Sequence, residues 1–90
     1  IGEPVYASAD GIVLLSDEFF YKGKFVLLGH GNNFKTSYSH LNESFVTENE
    51  IVKKGQLIGL VGKSGRVTGP HLHFEVIFLN KKLNPELFIQ

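Results

Sequence analysis

Gly69-Pro70-His71-Leu72-His73-Phe74-Glu75 reads as the opening of a β-strand. Side chains alternate faces along a strand, so His71, His73 and Glu75 share one face, with the Cα atoms of the two histidines about 6.6 Å apart. Imidazole is the commonest protein metal ligand and the usual proton-transfer group near neutral pH. Two rings on one strand suit a metal site in which one binds and its neighbour handles protons. The competing explanation is a polar stripe on a solvent-facing strand. Glu75 either hydrogen-bonds a histidine from behind or pairs with a lysine across the sheet.

The rest of the chain has the same character. Short apolar, β-branched runs alternate with clusters of Gly, Asn, Ser and Asp, the pattern of an all-β sandwich or barrel. Strands are expected near residues 4–8, 11–16, 24–30, 35–40, 56–62 and 71–79. Asp10-Gly11 predicts a tight turn between the first two. Gly29-His30-Gly31-Asn32-Asn33 predicts another, because Gly and Asn take positive φ at low cost. Asn80-Lys81-Lys82 turns the last strand towards Asn84-Pro85-Glu86-Leu87-Phe88-Ile89, one helical turn capped by Asn84. A faint internal echo links Pro4-Val5 and Gly11-Ile12-Val13 to Ile51-Val52 and Gly55-Gln56-Leu57-Ile58-Gly59.

Ninety residues allow one domain with a small core. Hydrophobic residues make up 42% and charged residues 20%, a balance that argues against disorder. Nine basic side chains match nine acidic ones, so no net field draws in nucleic acid or an anionic membrane. No apolar run is long enough to span a bilayer, and no basic-then-apolar leader is seen. The absence of Cys excludes a disulfide scaffold and a thiolate metal site.

The other candidates carry less chemistry by themselves. His40 closes Ser37-Tyr38-Ser39-His40-Leu41, where alternation puts Tyr38 and His40 on one face and Ser37, Ser39 and Leu41 on the other. It gains meaning only if the fold brings it beside His71. His30, between two glycines, is expected in a turn with a structural or surface role. Asp10 is fully explained as a turn residue. Gly62-Lys63-Ser64 mimics the end of a phosphate loop, but Leu57 stands where that motif requires glycine, and no helix follows. The glycine-rich stretch from Gly59 to Gly69 is expected as a wide loop that could border a groove.

Taken together, these segments resemble the lysostaphin-type (LytM-like) zinc metallopeptidases of bacterial cell walls. Gly2-Glu3-Pro4-Val5-Tyr6-Ala7 with Asp10-Gly11-Ile12-Val13 resembles the family's first strands. Gly29-His30-Gly31 and Tyr38-Ser39-His40-Leu41 resemble its central segment, and the run from Val52 to Gly59 with Gly62-Lys63-Ser64-Gly65 its later hairpin. Thr68-Gly69-Pro70-His71-Leu72-His73-Phe74-Glu75 is the most specific match, and Asn84-Pro85 resembles the close.

The resemblance implies an all-β antiparallel sheet or barrel-sandwich of the duplicated hybrid motif type, with at most one short C-terminal helical turn. It implies that residues 1–90 form a single metallopeptidase-like domain, the C-terminal portion of a catalytic domain. It implies zinc held by His73 and by a His and an Asp of an early His-x-x-x-Asp motif. That motif is expected upstream of Ile1, on a preceding segment or a partner chain, since Asp10 falls too late in the pattern. His40 and His71 would be catalytic, flanking the water that zinc activates. The implied activity is endopeptidase cleavage of peptidoglycan stem peptides or cross-bridges, in the cell envelope (periplasm) or outside the cell. The chain as it stands is expected to bind zinc weakly and to be inactive alone. The alternative is a non-catalytic family member that binds or regulates wall hydrolases. Two further resemblances are weaker: a biotinyl or lipoyl carrier, which lacks its modified lysine here, and a phosphocarrier, whose histidine spacing differs.

Overall fold

The computed structural model describes residues 2–20, 22–62, 72–79 and 81–83. They form eight strands and, among the described residues, no helix: β1 (Pro4–Tyr6), β2 (Gly11–Phe19), β3 (Gly23–Gly31), β4 (Phe34–Ser44), β5 (Ile51–Val52), β6 (Leu57–Val61), β7 (His73–Phe78) and β8 (Lys81–Leu83). All pairings are antiparallel, in one curled sheet ordered β1-β6-β4-β3-β2-β5, with β7 on β4 and β8 on β7. The all-β expectation holds. The helical turn expected at residues 84–89 lies outside the described residues.

The first turn differs from expectation. β1 and β2 do not pair with each other; β1 pairs with β6 and β2 with β5. The internal echo thus becomes a reciprocal exchange between two strand pairs. Asp10 secures it over 44 residues, its Oδ1 accepting the Lys54 N–H at 2.7 Å. The second turn is narrower than expected. Gly29, His30 and Gly31 belong to β3, and the reversal is made by Asn32 and Asn33 at φ 52° and 66°. Two consecutive left-handed residues match the right-handed twist of a hairpin, and Asn tolerates that region well. Lys81 and Lys82 are strand rather than turn, paired with β7 from Phe78↔Lys81 onwards, with Leu79 at φ 52° before them.

Alternation buries one face of this sheet. Val13, Val26, Leu28, Tyr38, Leu41, Val52 and Ile58 are essentially inaccessible and pack with Val5, Ala7 and Val46, while Leu72 and Phe74 lean on the same cluster. Full burial of each aliphatic side chain contributes about 1.5–3 kcal/mol.

β4 is the strand that positions everything else. Its first part pairs with β7, ending at Ser39↔His73; its last part pairs with β6, beginning at Leu41↔Val61. His40 stands at this fork. On the other edge, Val26 pairs with Tyr38 and Lys24 with Leu41, so β4 carries one residue more than β3 across the same interval. Such a bulge bends a strand and re-aims a side chain. Gly62 lies against the fork and donates its N–H to the His40 carbonyl at 3.2 Å. A Cβ at Gly62 would meet the Asn42 Cα and N at 2.6 Å, so only glycine fits there.

Candidate functional site

His40 has φ 63°, inside the left-handed region that L-residues avoid. Its N–H is donated to the Lys22 carbonyl at 2.8 Å, and the residue is 8% exposed. The conformation breaks the alternation. Tyr38 and Leu41 both join the core, while His40 turns to the opposite face, overturning the expectation that Tyr38 and His40 share one side. The cause is the extra residue at the bulge: it lets Leu41 regain the core and leaves His40 directed the other way.

On that opposite face His40 meets His73, the first residue of β7. Their rings are 6.0 Å apart between centroids and inclined at 70°. The His73 side chain is 51% exposed, and its Nε2 lies 3.3 Å from Oε2 of Glu75. Glu75 is more buried, and its Oε1 accepts a hydrogen bond from Ser37 Oγ at 3.4 Å. Of the two roles open to Glu75 from the sequence, the structure shows the first: the carboxylate backs a histidine on its own strand. Lys22, Ser39, His40, His73 and Glu75 line one cleft of about 180 Å³. His71 lies outside the described residues.

Lys22 escaped the sequence reading. Nothing marks a lysine between β2 and β3 as part of a histidine site, and only the fold brings it there. Its ammonium rests 4.8 Å from the centre of the Phe25 ring, a cation–π distance.

His30 and Asp10 lie elsewhere. His30 Nδ1 donates to the Asp10 carbonyl at 2.8 Å, since a carbonyl can only accept. In the neutral ring Nε2 then accepts the Thr36 hydroxyl at 2.7 Å, and Thr36 Oγ1 accepts from the Tyr38 hydroxyl at 2.9 Å. The Ser8 N–H closes the chain on the Tyr38 oxygen at 3.1 Å. Both ring nitrogens of His30 are thereby engaged in tying β3 and β4 to the β1–β2 connection. A cavity of about 300 Å³ opens beside this chain, walled by Phe34, Phe74 and Val76. By pleating, these side chains face away from His73 and Glu75. Of the described histidines, the two that face one another are in the smaller cleft.

Residues 1–85 match the family model described as Peptidase family M23. The chain belongs to this family. Among M23 relatives, the peptidoglycan DD-endopeptidase ShyA of Vibrio cholerae is 46% identical over 84 residues, covering 93% of this chain and 20% of that protein. A zinc-containing peptidase from Vibrio cholerae superposes with a TM-score of 0.90 at 43% identity, covering 92% of this chain and 26% of the other. The catalytic domain of the antimicrobial peptidase lysostaphin from Staphylococcus simulans gives a TM-score of 0.91 at 31% identity, covering 98% and 71%. The chain thus spans about a fifth of the length of the curated relative. Among the described residues, no helix is long and apolar enough to cross a membrane.

Proposed function

We propose that this M23 chain is the C-terminal portion of the catalytic domain of a zinc-dependent peptidoglycan endopeptidase of the cell envelope or the extracellular space. The observation that carries this is the meeting of His40 and His73 at the β4 fork, with Glu75 behind His73. A core histidine has no need of a left-handed backbone. Residues held in such sparsely populated conformations cost of order 1–3 kcal/mol and cluster at active sites. The M23 relatives, a DD-endopeptidase and a zinc-containing peptidase among them, support the same reading.

The donor set fits one ligand of a zinc site. Among the described residues no three His, Asp or Glu side chains are close enough to hold a metal together. His73 has the features of a single ligand: an accessible ring on a paired strand, with a carboxylate at Nε2. A Nε2–H directed at Glu75 leaves the Nδ1 lone pair free for a metal, and carboxylate-backed imidazoles are more basic ligands. The other ligands, a His and an Asp, would come from a preceding segment or a partner chain. When bound, zinc supplies a water acidic enough to attack at neutral pH and polarises the substrate carbonyl.

The remaining work falls to the chain. His40 is buried and its backbone is held by its N–H to the Lys22 carbonyl, so its imidazole is offered to the cleft from a fixed Cα. With His71, it takes the proton of the attacking water as the C–O bond forms and returns one to the leaving nitrogen as the C–N bond breaks. The products are a carboxylate and an amine. The cleft, about 180 Å³ and open, suits an extended peptide better than an enclosed small molecule.

Full-length protein incubated with cross-linked peptide dimers from peptidoglycan tests this directly. Conversion to monomers with uptake of one water, blocked by a chelator and restored by zinc, is expected. Intact dimers in the presence of stoichiometrically zinc-loaded protein refute the proposal.

A further inference from the structure

We propose that Ser37 is a positioning residue for the metal ligand His73. Its hydroxyl holds one oxygen of the Glu75 carboxylate, so that the other stays on the His73 imidazole. The inference rests on the zinc-peptidase reading and extends that site by one buried residue.

Propensity alone would not place a serine here. Residue 37 lies inside β4, with Leu27 across one ladder and Glu75 across the other. It is 1% exposed. Buried strand positions favour β-branched and large apolar side chains, and a buried hydroxyl costs free energy unless it is hydrogen-bonded. Departures from such local rules concentrate at functional or strained sites. The Ser37 hydroxyl has its acceptor in Oε1 of Glu75 at 3.4 Å. An ionised carboxylate only accepts, so the serine is the donor.

The register of β4 on β7 builds the rest. It pairs Ser37 with Glu75 and Ser39 with His73. Directly opposed residues of an antiparallel pair hold their Cβ atoms about 4.5–5.5 Å apart, within reach of a hydroxyl and a carboxylate. Glu75 and His73 share a face of β7, and Oε2 of Glu75 is 3.3 Å from Nε2 of His73. One carboxylate thus bridges the two residues, an oxygen to each. Burial falls along the series, from an inaccessible serine to a half-exposed histidine. The anchor sits at the dry end, where a hydrogen bond is electrostatically stronger than in water. The ligand sits at the wet end, where metal and substrate arrive. A carboxylate behind a ligating imidazole fixes the ring and raises its basicity. Ser37 acts one step further back, on the rotamer of that carboxylate. At 3.4 Å the bond is long for two oxygens, which puts its effect on zinc affinity in the lower range for one hydrogen bond, about two- to fivefold.

Competitive chelator titration of full-length protein with zinc tests this. Ser37→Ala should bind one zinc about two- to fivefold more weakly than the wild type. In a Glu75→Ala background no carboxylate remains for the serine to hold, so the same substitution should change nothing. Glu75→Leu gives the same comparison with the side-chain volume kept. A serine that only packs the strand would cost the same in every background. Unchanged affinity in Ser37→Ala, or an equal loss with and without the Glu75 carboxylate, overturns the role of Ser37 and leaves the zinc site intact. A wild type that binds no zinc, or His73→Ala that binds it as tightly, overturns the zinc-peptidase reading as well.

Discussion

Replacing His40 by glycine should leave the protein more stable than replacing it by alanine, which inverts the usual order in a strand. Both substitutions delete the same imidazole, so their difference isolates the backbone. At φ 63° a Cβ costs about 1–2 kcal/mol relative to a right-handed or extended conformation. Glycine escapes that cost but loses about 0.5–1 kcal/mol more conformational entropy on folding than alanine. The balance favours His40→Gly over His40→Ala by about 0–1.5 kcal/mol, centred on about 0.75 kcal/mol, which corresponds to about 3–6 °C in Tm for a chain of this size. At an ordinary strand position only the entropy would count, and alanine would win by a similar margin. The sign of the difference is therefore diagnostic. Urea denaturation of the metal-free variants, with equal m-values as the check on two-state behaviour, reads it out. An alanine variant more stable than the glycine variant, the order of an ordinary strand position, would refute the claim that a left-handed backbone turns His40 into the cleft.

Other expectations follow from the same structure. Tyr38→Phe removes the hydroxyl joining Ser8 and Thr36 and leaves buried Thr36 without that partner, so the urea midpoint should report a loss of about 1–2 kcal/mol. Gly62→Ala drives a Cβ into the Asn42 backbone, which cannot swing aside as a side chain could; the cost should be about 1–3 kcal/mol by the same measurement. Glu75→Gln removes the charge behind His73 and should weaken zinc binding about 10–100-fold in a competitive chelator titration.

The period-two pattern carried most of the fold. It located β2, β3, β4, β6 and β7 to within a few residues and put His73 and Glu75 on one face. β5 and β8 are two and three residues long, too short to show periodicity. The reciprocal pairing of β1 with β6 and β2 with β5 was visible only as a faint echo, because partner choice depends on contacts distant in sequence. His40 was legible as a candidate but not in its orientation. No glycine marks the bulge, and alternation extrapolated through residue 40 gives the wrong face. His30 misled in the other direction: its flanking glycines suggested a turn, yet it sits in β3 with both ring nitrogens bonded. Lys22 carried no local signal at all, since its place beside the histidines depends on how the β2–β3 connection meets β4.

The division of labour between the two histidines is the centre of the account. Zinc content and peptide hydrolysis, measured on full-length His73→Ala and His40→Ala, address it together. Loss of bound zinc in His73→Ala, with zinc retained but hydrolysis abolished in His40→Ala, is the predicted result. Stoichiometric zinc in His73→Ala, or undiminished hydrolysis in His40→Ala, would contradict it.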